Sequence, residues 1–164
     1  GLSAKHLLKN SKKLIILKAF TKLYGMAGVR LGYCLCSDTE LLARMRAAGQ
    51  PWAVSSLAQA AGIAALDETE YVAKVRALIE AQRPVLADGL RALGLRVIEG
   101  RANYLLFRAP EALGEALRRK GAVLRSCGNY PGLDASWYRT AVRTENENRQ
   151  LLALLAETLP EVAQ

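Results

Sequence analysis

The longest periodic stretch of the chain spans residues 68–93, and it constrains how everything else can be arranged. Val72, Val75, Leu78 and Ile79 fall on one helical face, and Leu86, Leu90 and Leu93 continue the pattern. Such spacing predicts an amphipathic helix that buries one stripe. Pro84 lacks a backbone N–H and its ring crowds the turn before it, so a kink or break is expected there. Gly94 is a natural stop, because glycine accepts the left-handed conformation that ends many helices. The texture differs on the two sides of this helix, so it reads as the connection between two packed regions.

On the N-terminal side, Leu14, Ile15, Ile16 and Leu17 begin a short apolar run over 14–19 that reads as a buried strand. Residues 20–30, with Gly25 and Gly28, read as a loop, and 31–36 as a second strand. Asp38 is placed to cap a helix with Leu41, Leu42 and Met45 on one face, ended near Gly49 and Pro51. Ser55 or Ser56 caps the next helix, which is rich in alanine. On the C-terminal side, strands at 96–99, 103–108, 123–126 and 137–143 are interspersed with helices at 111–120 and 145–159, and Pro160 is expected to end the last one. Residues 127–136 are rich in turn formers. Thr144 and Glu147 have the spacing of a capping box. The expected fold class is α/β, becoming α+β with a short sheet in the C-terminal part, over segments 1–66, 67–94 and 95–164.

Of the 164 residues, 51% are hydrophobic and 23% charged, a balance that supports a packed core and argues against a disordered chain. No apolar run approaches the ~20 residues that cross a bilayer, so no membrane partner is expected. Gly1 to His6 show no charged region leading into an apolar one, so no signal peptide is expected. The net charge of +8 suits nucleic acid or an anionic small molecule. The basic residues are scattered, apart from a cluster between Lys5 and Lys22, and no basic/aromatic alternation or nucleic-acid motif appears. Nucleic acid is therefore not the expected partner. The charge also suits the basic part of something larger. Cys34, Cys36 and Cys127 are odd in number and read as small apolar side chains in a reducing cytoplasm. With one histidine, a zinc site would need every ligand available, so no metal is expected. His6 reads as a surface residue.

Two stretches carry chemistry. In the first, Thr21 and Lys22 follow the first strand directly, glycines follow at Gly25 and Gly28, and Arg30 precedes the next strand. A lysine that loses its proton in a partly desolvated site can attack a carbonyl. A hydroxyl with a guanidinium makes a phosphate cradle, and the glycines allow close backbone approach. Together they suit an aldehyde that carries a phosphate, and pyridoxal phosphate is that molecule. A solvated surface lysine is the plain alternative. In the second stretch, Arg125 and Arg139 lie in expected strands on either side of a tight loop, where two rigidly mounted guanidiniums could grip an anion. Arginines wetted at a sheet edge are the plain alternative there.

Residues 21–32 have the form Ser/Thr-Lys-x-x-Gly-x-x-Gly-x-Arg-x-Gly. This resembles the lysine segment of the fold-type-I pyridoxal-phosphate enzymes of the class I/II aminotransferase family. The resemblance implies that Lys22 joins the cofactor aldehyde while Thr21 Oγ and Arg30 hold its phosphate. Many relatives have a hydroxyl three residues before the lysine, where this chain has Ala19, so one phosphate hydrogen bond is expected to be missing or taken by water. The run Arg125-Ser126-Cys127-Gly128-Asn129-Tyr130-Pro131-Gly132-Leu133-Asp134, followed by Tyr138-Arg139-Thr140-Ala141-Val142-Arg143, is similar to the family's C-terminal domain. There the resemblance implies that Arg139 binds the substrate's α-carboxylate and Arg125 another anionic group. The wording looks most like the threonine-phosphate decarboxylase branch, with the histidinol-phosphate aminotransferase branch as the alternative; both take phosphorylated substrates. Asn103 resembles a residue of a strand that enters the active-site region, with a purely structural role as the alternative. Trp52 resembles a loop residue that lines the cleft or simply packs. Tyr24 reads as packing.

By the same resemblance, 1–66 is the C-terminal portion of the cofactor-binding large domain, 67–94 the interdomain helix and 95–164 the small domain. The family's Asp for the pyridine nitrogen, its ring-stacking aromatic and its Asn near the ring oxygen belong to a preceding segment. The chain alone is therefore expected to be inactive, and the intact parent to be a homodimeric cytoplasmic enzyme. The rival from another class is a non-catalytic basic module that docks onto a partner chain or nucleic acid.

Overall fold

The structure is a computed structural model that describes residues 3–162. Residues 1–2 of segment 1–66 and 163–164 of segment 95–164 lie outside the described residues. Contacts divide the chain into two compact units, one ending at Ala73 and the other beginning at Lys74, so the division falls inside the long helix.

The first unit opens with a short 3-10 helix, Ala4–Asn10, which the sequence reading did not anticipate; the Ser3 hydroxyl caps it at Lys5 N. Strands β1 (Ile16–Ala19) and β2 (Gly32–Leu35) pair antiparallel, Ala19 opposite Gly32 and Ile16 opposite Leu35. Their approach is close enough that a Cβ at Gly32 would sit 2.9 Å from the Lys18 carbonyl oxygen. The expected buried strand is not buried. Leu17 is 77% exposed, and among the described residues β1 pairs only with β2. Helix α1 (Thr39–Ala48) starts where the Asp38 carboxylate accepts from Leu41 N at 2.9 Å, and it ends at Gly49. Of the two candidate serines, Ser55 caps α2 (Ser56–Asp67), accepting from Ala58 N at 3.2 Å. At Gly62 the Leu31 side chain occupies the space that a Cβ would fill, so α2 lies against the loop that leads into β2. Cys34 and Cys36 are only half-buried, while Cys127 in the second unit is buried as expected.

Helix α3 (Thr69–Ala92) runs through Pro84, so of the expected kink or break the break does not occur. Leu86, Ala87 and Leu90, in the turns directly after the proline, are core residues, and their burial holds the helix across the lost hydrogen bond. Gly94 ends it at φ +78: Leu95 N bonds Leu90 O and Gly94 N bonds Arg91 O, which satisfies two of the orphan carbonyls.

The second unit is a four-stranded antiparallel sheet in the order β3 (Arg96–Ile98), β4 (Tyr104–Arg108), β6 (Trp137–Ala141), β5 (Arg125–Ser126). Side chains alternate cleanly between its faces. Leu105, Phe107 and Tyr138 are buried with Leu86 and Leu90, with Leu113 and Leu117 of α4 (Leu113–Arg119), and with Leu155 of α5 (Glu145–Val162). The Tyr138 hydroxyl donates to Glu111 O at 2.6 Å and accepts from Gly114 N at 3.2 Å, which pins β6 to the start of α4.

Pro160 does not end α5, which continues to Val162. Lys120 bridges Glu157 and Glu161 at 2.8 Å each, on either side of the proline, while Leu159 and Val162 pack on the core; these contacts retain the last turn. The capping box forms as read. Thr144 N donates to Glu147 Oε2 at 3.2 Å and Glu147 N to Thr144 Oγ1 at 3.4 Å. The Thr144 hydroxyl, then Arg143, hold the Glu147 carboxyl below the usual carboxylate range.

Two predictions follow from this packing. Leu90→Ala is expected to cost about 2–5 kcal/mol in urea unfolding, because Leu90 has no exposure to lose and leaves a cavity. Thr144→Ala is expected to lower stability at neutral pH. The gap should narrow as pH falls through the depressed pKa of Glu147, where protonation removes the same carboxylate contacts from the parent chain. Unfolding curves at neutral and acid pH check this.

Candidate functional site

Two groups of polar residues stand out, one in each unit. In the first unit, Phe20 N donates to Leu31 O at 3.2 Å directly beyond the last β1–β2 pair. That bond makes a neck from which residues 21–30 bulge as a loop, so Thr21 and Arg30 are the first residues out on its two sides. Phe20 anchors the neck; it is buried, with its ring 5.1 Å from that of Tyr24 and 5.9 Å from that of Tyr33. Tyr24 thus packs, as read. Lys22 O accepts from Gly25 N at 3.2 Å in a turn that needs the +66 φ of Gly25.

Arg30 sits at φ +58 and its Nη1 donates to Ala27 O at 3.1 Å. A left-handed non-glycine residue is strained and persists only where its surroundings hold it. Lys22 is exposed and Thr21 half-buried. Among the described residues, no carboxylate engages Lys22 or Arg30. An amine, a hydroxyl and a guanidinium on one loop, uncompensated by acid, fit a ligand with an aldehyde and a phosphate.

In the second unit, Arg125 and Arg139 are direct cross-strand partners in the β5–β6 pair. Opposed like charges on one sheet face repel unless an anion joins them. Each guanidinium lies over an aromatic ring: Arg125 Cζ is 5.9 Å from the Tyr130 centroid, and Arg139 Cζ is 4.7 Å from that of Tyr104. Arg125 Nη2 also donates to Asn129 Oδ1 at 3.1 Å. Arg139 is half-buried, and among the described residues the Tyr104 ring is its one recorded partner. Arg91, Arg143 and Arg149, by contrast, each pair with a carboxylate. Asp134, the acid of the adjoining loop, is committed elsewhere. The Ser136 hydroxyl and N–H hold its carboxyl below the usual carboxylate range, with Arg108 nearby at 3.8 Å.

Asn103 is exposed one residue before β4, and its carbonyl accepts from Val142 N at 2.9 Å, a backbone role. Trp52 does not pack: it is 96% exposed in a turn at φ +59, because nothing in the first unit reaches that corner. His6 is exposed, its Nδ1 2.8 Å from Ser3 O. The sequence reading missed Tyr104, Tyr130 and Asn129 as neighbours of the arginines. The strand register that brings Tyr104 to Arg139 is invisible to local spacing.

Comparison with known proteins gives this arrangement a context. Residues 2–155 match the sequence profile described as aminotransferase class I and II. The chain is 38% identical over 160 residues to threonine-phosphate decarboxylase of Salmonella typhimurium, covering 95% of this chain and 44% of that protein. The crystal structure of histidinol-phosphate aminotransferase from Clostridium acetobutylicum superposes with a TM-score of 0.92 at 31% identity, over 97% of this chain and 49% of that one. Histidinol-phosphate aminotransferase from Sinorhizobium meliloti, solved in complex with pyridoxal-5'-phosphate, superposes at 0.72 and 26% identity, over 92% of this chain and 41% of that one. The chain spans less than half the length of the curated relatives it matches.

The Arg125–Arg139 opposition is directly measurable. Arg125→Gln is expected to stabilise the chain by about 0.3 kcal/mol at low ionic strength by removing one of the facing charges. High salt screens that repulsion, so the gain should disappear there. Thermal melts at two ionic strengths check it, and a gain equal in both would refute the repulsion.

Proposed function

The chain belongs to the aminotransferase class I and II family, and we propose that it is part of a longer pyridoxal-phosphate enzyme acting on a phosphorylated amino acid or amine. The observation that supports this reading is that Thr21, Lys22 and Arg30 lie on one neck-closed loop inside the family match. Segment 1–66 is then the tail of the cofactor-binding domain, 67–94 the connecting helix and 95–164 the small domain. The intact enzyme is a cytoplasmic homodimer in this reading. The present chain spans less than half the length of the relatives it matches.

Lys22 Nζ supplies the amine that anchors the cofactor aldehyde, and the Thr21 hydroxyl and Arg30 guanidinium bind its phosphate. Ala19 adds no hydroxyl, so the phosphate has one protein donor fewer than in relatives with Ser or Thr there. When bound, the cofactor ring supplies an electron sink for the bond broken at the substrate's Cα. Lys22 Nζ would also be the group that holds or moves the proton at that carbon. Arg139 grips the substrate's carboxylate and Arg125 a second anionic group. By fixing rotation about the substrate's N–Cα bond, they select whether Cα loses its carboxylate or its proton. Asn103 and Trp52 contribute at most from the margin of the site.

The favoured subtype is threonine-phosphate decarboxylase, supported by the wording around Arg125 and the likeness to the Salmonella protein. Histidinol-phosphate aminotransferase is the second reading, supported by the Clostridium structure. The intact protein is expected to release carbon dioxide from O-phosphothreonine; formation of glutamate from histidinol phosphate and 2-oxoglutarate would select the second reading. Pyridoxal phosphate added to the protein is expected to give a visible absorbance band that borohydride abolishes and that Lys22→Ala does not form. A band of equal strength in Lys22→Ala would overturn the assignment of Lys22.

A further inference from the structure

We infer that Tyr104 is the positioning residue for Arg139: the face of its ring holds the guanidinium in place while leaving every N–H free for a ligand. This rests on the reading of Arg139 as a substrate-binding group. Tyr104 pairs with Ala141 and Leu106 with Arg139 across β4 and β6, so Tyr104 is the diagonal neighbour of Arg139 on the sheet face turned away from the core. At 4.7 Å from the ring centroid, Arg139 Cζ is well inside the range at which an aromatic face attracts a cation.

The manner of holding matters. A guanidinium carries five N–H donors in its own plane. A carboxylate partner consumes donors at that edge, as at Arg143, where Nη1 meets Glu147 Oε1 at 2.5 Å. Arg125 gives one donor to the Asn129 amide. A ring approached over its face consumes none. Arg139 is thereby restrained on one side and keeps the forked edge that recognises a planar carboxylate or a phosphate bidentately. Among the described residues the Tyr104 hydroxyl makes no hydrogen bond, so the ring and not the hydroxyl does the holding. Tyr104 is 41% exposed, outside the buried core, so its replacement leaves the packing of the unit intact.

The test uses the full-length enzyme with Tyr104→Phe, Tyr104→Leu and Arg139→Ala, and Tyr104→Met as a second apolar variant should Leu fold poorly. Dissociation constants for O-phosphothreonine and for histidinol phosphate are measured by calorimetry on the cofactor-free protein, and KM and kcat on the loaded enzyme. For the ligand that binds more tightly, Tyr104→Phe should match the parent, whereas Leu or Met should weaken binding and raise KM by roughly tenfold. If Phe weakens binding as much as Leu, or Leu and Met bind like the parent while Arg139→Ala does not, the positioning role is wrong and the ligand reading stands. If neither compound binds the parent, or Arg139→Ala leaves affinity and KM unchanged, the ligand reading fails and takes the inference with it.

Discussion

The pairing register of β4 with β6 is the constraint on which the second unit depends. Phe107 faces Tyr138, and Leu106 faces Arg139. A slip of β6 by one residue against β4 would turn Tyr138 toward water and drive Arg139 toward the core. Burial of Phe107 against Leu86, Leu90 and Leu113 therefore fixes more than stability; it sets which side of the sheet carries the guanidiniums. The strand positions of the arginines are held from the opposite face, which cannot be rearranged without opening the core.

The first unit solves a similar problem by other means. Its loop is held by backbone bonds at a neck, by the buried Phe20 ring and by a strained Arg30, with no packed sheet behind it. Chain closure over few residues places Thr21, Lys22 and Arg30 on one short loop. In the second unit, the two arginines meet through residues distant in sequence and aligned by strand pairing. One arrangement is local and the other is set by topology.

That difference explains what could be read in advance. The loop motif, with Thr21, Lys22 and Arg30 inside one short stretch, was legible because its members are sequence neighbours. The caps at Asp38, Ser55 and Thr144 were legible for the same reason, each being a side chain bonding an N–H three residues on. The strand positions of Arg125 and Arg139 were visible, but the ring beneath Arg139 was not, since Tyr104 lies far back along the chain. The two prolines misled for a related reason. Local chemistry says that Pro84 and Pro160 interrupt a helix, while distant contacts through Leu86 and Leu90, and through Lys120, outweigh it. Burial of β1 was misjudged because an apolar run states a preference and not the presence of a covering layer.

The contact between Gly62 and Leu31 ties two distant positions together. The absent side chain of one leaves room for the branched side chain of the other, at the root of the segment that carries Lys22. The two sites therefore cannot drift independently. Bulk gained on the helix has to be met at the strand entrance, by the Leu31 side chain swinging its terminal methyl aside or by a smaller residue there.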